Sequence, residues 1–129
     1  MPNIEHYINR MYTLMGGLQN ADRLGKPHSG TWQPLVNVYE RAEDIVVMVE
    51  LPGVDKDKIR VDIEGDILRI EGVRPAKIPE GTHHMQQMEI PVGRFARLLR
   101  LPHNAERENV VAEYDQGYLT VTIPCGGDV

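Results

Sequence analysis

The side chains in this sequence that could do chemistry are one thiol (Cys125), a few imidazoles (His83, His84 and His103 among them) and nineteen carboxylates. A nucleophilic cysteine needs a base or a positive charge beside it to become a thiolate. Cys125 stands in the terminal run Cys-Gly-Gly-Asp-Val, with no base fixed near it in sequence. His83 and His84 are adjacent, so on an extended backbone they point to opposite faces and do not share one metal ion. Together with His103 they could form a weak site, but solvated loop histidines are the simpler reading. The carboxylates are spread over outward strand positions and turns. There is no glycine-rich phosphate loop closing on Lys-Ser/Thr and no Gly-x-Ser-x-Gly nucleophile elbow. These residues predict no enzyme, no metal site and no cofactor.

Composition narrows the class further. The chain has 129 residues, enough for one domain with a sizeable core. Its formal net charge of −5 lacks the basic surface that displaces counterions from nucleic acid. No apolar run approaches the roughly 20 residues that span a bilayer, and the first residues lack the pattern of a signal peptide. A single cysteine closes no internal disulfide. A cytoplasmic protein that binds neither nucleic acid nor membrane is expected. With aromatics at only 5%, the core must come mainly from Val, Ile and Leu.

Those residues are arranged with a period of two. In the stretch Ala112–Pro124, Leu119, Val121 and Ile123 alternate with Tyr118, Thr120 and Thr122, which places them on opposite faces of a strand. A first strand around Val110–Tyr114 precedes it. Asp115-Gln116-Gly117 forms the turn of a hairpin, with Gly117 able to take positive φ. Earlier, Leu35–Glu40 and Ile45–Leu51 flank the polar turn 41–44, and the second run is apolar on both faces, as an inner strand would be. Ile59–Glu64 and Ile67–Val73 form another hairpin about Gly65-Asp66. Arg94–Leu101 is the next strand. Six to eight short strands with turns every 6–12 residues predict an all-β, immunoglobulin-like antiparallel β-sandwich.

Three features exceed what such a sandwich needs. Ile4, Ile8, Met11, Met15 and Leu18 recur at helical spacing behind Asn3 as an N-cap. Burying five such side chains contributes about 8–15 kcal/mol gross, while a lone helix this short is marginal in water, so the stripe needs a partner surface. The polar run Asn20–Gly30 then serves as a linker. Second, the excursion Arg74–Gly93 is long for a compact domain, and Met85–Ile90 within it has the composition of a short strand that can pair with a partner's edge. Third, Arg97 shares a face with Phe95, Leu99 and Leu101. A buried charge must be paired. Arg97 either reaches the rim or meets a carboxylate across a subunit interface.

The chain from Trp32 to Pro124 resembles the α-crystallin domain of small heat-shock proteins, in their bacterial form. The motifs are Pro34-Leu35-Val36-Asn37-Val38-Tyr39-Glu40, Glu50-Leu51-Pro52-Gly53-Val54, the hairpin Ile59–Gly72, Gly93–Pro102 and the turn signature Ala112–Leu119. The resemblance implies an ATP-independent holdase that binds partly unfolded proteins and keeps them from aggregating. It divides the chain into an N-terminal arm, helical or disordered, at 1–30, an α-crystallin domain at 31–124 and a short tail at 125–129. It implies a homodimer formed by exchange of a strand in the 74–93 loop, with Arg97, Met85, Met88 and Trp32 at the interface, and assembly into higher homo- or hetero-oligomers. It places a docking groove between Ile59, Val61 and Ile63 on one strand and Val110 and Ala112 on another. The arm residues Ile4, Ile8, Met11, Met15 and Leu18 become the client-binding segment.

The sequence departs from the family pattern in places. Gln116 stands where Asn is usual and Tyr118 where Val is usual. The five residues after Pro124 contain no Ile-x-Ile/Val motif of the kind the family inserts into a neighbour's groove. The expectation is a groove left for a client, the arm or another chain's tail. The alternative reading is a CS-type co-chaperone that recruits an ATP-dependent chaperone, but those domains usually lack the long loop.

Overall fold

Alternating burial sorts the strands into two sheets. The computed structural model describes residues 31–126. The apolar stripe at 4–18 and the end of the tail lie outside them. Seven strands are present among the described residues: β1 (Val36–Glu40), β2 (Asp44–Glu50), β3 (Arg60–Glu64), β4 (Ile67–Arg74), β5 (Gly93–Arg100), β6 (Val111–Asp115) and β7 (Tyr118–Pro124). One sheet has the order β1-β2-β7-β6 and the other β3-β4-β5, with every neighbouring pair antiparallel. The expected sandwich is observed.

The core lies between the sheets and is built from every second residue. Ile45, Val47 and Val49 of β2 stand opposite Ile123, Val121 and Leu119 of β7, and all six are buried. From the other sheet come Leu68 and Ile70 of β4 with Phe95 and Leu99 of β5. Each such side chain contributes about 1.5–3 kcal/mol by leaving water. β2 is an inner strand, which is why its outward residues Val46 and Met48 are also half-buried.

Local chemistry fixes the turns. At the β1–β2 turn, Arg41 Nε and Nη2 donate to the two Asp44 carboxylate oxygens at 2.6 and 2.8 Å, and the Arg41 N–H donates to Asp44 O. The hydrogen bonds from this guanidinium hold the Asp44 carboxyl below the usual range. Asp115 pairs with Tyr118, leaving a two-residue turn in which Gln116 has φ 52° and Gly117 φ 85°. Both central residues are left-handed, as a type I′ hairpin requires. The charged connection after β2 contains a single 3-10 turn, Lys56–Lys58, capped by the Asp55 carboxylate.

The excursion 75–92 contains no strand within the single chain. Met85–Ile90 has no ladder partner among the described residues, and the chain bends at Gln86 and Ile90. A strand is defined by its ladder, and this stretch has no neighbouring edge within the described residues.

Candidate functional site

Each sheet has two edges, and their treatment differs. β1 and β6 bound one sheet, β3 and β5 the other. Trp32 lies along β5: its N–H donates to Arg94 O, and Ala96 N donates to Trp32 O. The segment then passes Pro34 and becomes β1, so one stretch of chain links the flank of β5 to the edge of the opposite sheet. Arg97 sits at this seam. Its side chain is on the core-facing side of β5 with Phe95 and Leu99, is half-buried, and Nη1 donates to Pro34 O at 3.0 Å. The guanidinium therefore ties β5 to the start of β1.

Trp32 packs its ring against Phe95, with centroids 5.5 Å apart and planes inclined by 55°. Its indole N–H donates to Gly93 O at 3.2 Å. Above the ring, 4.2 Å from its centroid, lies the Arg74 guanidinium. Met85 and Met88 are further out, on the excursion, and both are exposed. With Pro52, Ile78, Ile90 and Val92 they line an open pocket of about 380 Å³. The four residues assigned to an interface thus fall into two groups. Arg97 and Trp32 are at the seam, and the methionines are on the loop that leaves from beside it.

The groove residues occupy the other pair of edges. Ile59, Val61, Ile63 and Val110 are half-buried and pack against the core from β3 and from the entrance to β6, while Ala112 is exposed. Tyr114 ties this flank together: its hydroxyl donates to Leu51 O at 2.6 Å and accepts from Val54 N at 3.4 Å. It thereby links β6 to the corner from which the chain crosses to β3.

The reactive side chains remain dispersed. His83, His84 and His103 are exposed. Among the described residues no group of three or more His, Cys, Asp or Glu could hold a metal ion. Burial first, then Glu40, Asp44 and Glu106, push the Cys125 thiol up from its ordinary value, which disfavours the nucleophilic thiolate.

Two apolar edge regions thus flank the sandwich, and no metal-holding cluster lies among the described residues. The family description Hsp20/alpha crystallin matches residues 37–126, more than half of the chain. The chain belongs to the Hsp20/alpha crystallin family. Its relatives among small heat-shock proteins include the 17.8 kDa class I heat shock protein of Solanum lycopersicum, 38% identical over 66% of this chain. Another is the 18.0 kDa class I heat shock protein of Daucus carota, 31% identical over 88%. The matched region spans 56% of the length of the first and 72% of the second. Heat shock protein 16.0 from Schizosaccharomyces pombe superposes with a TM-score of 0.71 at 29% identity, covering 82% of this chain and 83% of that one. A small heat-shock protein from Xylella fastidiosa gives 0.69 at 30% identity, with 77% and 91% covered. Small heat-shock proteins are chaperones and not enzymes, in keeping with the scattered histidines and the hindered thiol.

Sequence reasoning missed Arg74 and Tyr114. In the sequence, Arg74 marks only the start of the excursion and Tyr114 only the end of a strand. Arg74 binds carbonyls 17 and 22 residues away, and Tyr114 reaches back about 60. A strand-terminal Arg followed by Pro75 was the only local signal, and it does not name a partner.

Proposed function

We propose that this small heat-shock protein is an ATP-independent holdase, which binds partly unfolded proteins and keeps them dispersed. The observation that carries the reading is the placement of exposed apolar side chains. Of nine large hydrophobic residues exposed among the described residues, five (Val73, Ile78, Met85, Met88 and Ile90) lie between the end of β4 and the end of the excursion. Leu35 and Tyr39 add to this on the β1 flank. Contiguous exposed apolar surface is a binding surface or an aggregation hazard, and its concentration on one excursion favours the former.

The assembly unit in this reading is a homodimer in which Met85–Ile90 pairs with the β1 edge of the partner. β1 offers an unpaired edge with exposed Leu35 and Tyr39, and Met85–Ile90 offers backbone without a ladder and three exposed apolar side chains; each supplies what the other lacks. Arg97 and Trp32, at the root of β1, would lie next to that pairing. The flank of Ile59, Val61, Ile63, Val110 and Ala112 is the docking groove, and the arm 1–30 with its stripe at Ile4–Leu18 is the client-binding segment. The tail is residues 125–129. Action in the cytoplasm, on no nucleic acid or membrane and without a cofactor, completes the reading.

The test is to heat a labile enzyme with the protein, without nucleotide, and pass the mixture over a sizing column. A new high-mass peak containing both chains is expected. Heated enzyme found only in the pellet, with the chaperone eluting unchanged, would sink the reading.

A further inference from the structure

One side chain closes the neck of the excursion. The β4–β5 ladder ends at the pair Arg74↔Gly93. It cannot continue through the next residue, because Pro75 has no N–H to donate. Beyond that point the Arg74 guanidinium replaces the ladder. Nε and Nη2 both donate to Pro91 O, at 3.1 and 2.5 Å, and Nη1 reaches Pro52 O at 3.3 Å. Its carbon lies 4.2 Å from the centroid of Trp32, whose indole N–H binds Gly93 O. A single planar group thus holds the descending limb of the excursion, the corner after β2 and the segment that feeds β1.

We infer that Arg74 is a positioning residue for dimer assembly: its fork sets the direction in which Met85–Ile90 leaves the subunit and registers that segment against the root of β1. The inference rests on the strand-exchange reading above. The cost of closing an excursion of this size changes only slowly with its length, so closure alone does not aim it. Aim requires a fixed geometry at the neck. A guanidinium supplies it through donors in a rigid plane, whereas an ammonium is a point charge on a flexible stem. A segment already aimed before association loses less freedom on pairing, and the dimer is tighter for it. Because Trp32 belongs to the stretch leading into β1, the same cluster orders both the strand that is given and the edge that receives.

The test uses the full chain with Arg74→Met and Arg74→Lys. Two quantities are read: the dimer dissociation constant from a dilution series in the ultracentrifuge, and the rate of tryptic cleavage after Lys77. Arg74 precedes a proline and is itself a poor tryptic site, so neither substitution removes a competing cut. Both variants are expected to weaken the dimer about tenfold, from the loss of charge-assisted hydrogen bonds, with far-UV circular dichroism unchanged. Both should also be cut several-fold faster after Lys77. Unchanged dissociation in Arg74→Met overturns the inference, whatever the cleavage rate. Wild-type behaviour of Arg74→Lys overturns the role of the fork. If the wild-type chain stays monomeric throughout, the strand-exchange reading fails instead, and cleavage alone decides whether Arg74 aims the excursion.

Discussion

Gly72 sits directly beneath the ring of Phe95. A Cβ there would lie 2.6 Å from Phe95 Cζ and 2.8 Å from Lys58 O, and neither can retreat, since Phe95 is fully buried and Lys58 O is backbone. Gly72→Ala should therefore destabilise the domain by about 1–3 kcal/mol, the usual cost of overpacking. A chemical denaturation midpoint measures this, and an unshifted midpoint would show that the ring has room to move. The glycine is needed here for close approach and not for its backbone conformation. Gln116 shows the opposite case. It is a non-glycine residue at φ 52°, held there by the two-residue turn between β6 and β7.

Among the elements, β5 and its neighbours carry most of the functional argument. Phe95 and Leu99 face the core, and Arg97 between them passes out through the seam to Pro34 O. Arg97→Ala is predicted to loosen the junction of β5 with the start of β1 and, through it, assembly. The expected result is a later elution volume and a melting point lower by several degrees, since about 1 kcal/mol corresponds to roughly 4–8 °C in a domain of this size. An unaltered elution volume and melting point would count against an interface role. The strands themselves were legible from the sequence. Leu119, Val121 and Ile123 alternate with Tyr118, Thr120 and Thr122 without interruption, as a sheet buried on one face needs, and the run Ile45–Val49 is apolar on both faces, as an inner strand is. The hairpin at Gln116-Gly117 was legible because turn chemistry is local. A partner for Met85–Ile90 is not legible from composition, which reports that a segment tolerates extension but not which edge is available to it. Arg74 was opaque for a related reason: its partners at 52 and 91 become neighbours only after both sheets have formed.

The molecule as a whole pairs a well-buried core with a long excursion that exposes Ile78, Met85, Met88 and Ile90, and with uneven edges. β5 is lined by Trp32, while β1 and the β3–β6 flank present half-buried or exposed apolar residues to their surroundings. The outer face of the three-stranded sheet carries opposed charges, with Arg60 near Asp62 and Glu71 and Arg69 near Glu64. Such exposed pairs add little stability but keep that face wet and non-adhesive. Light scattering of a heat-labile enzyme, recorded with increasing amounts of this protein and with no ATP, tests the holdase account most directly. The account predicts that scattering falls progressively and is largely suppressed by an equimolar ratio of subunits. Scattering that is unchanged at equimolar and higher ratios would contradict it.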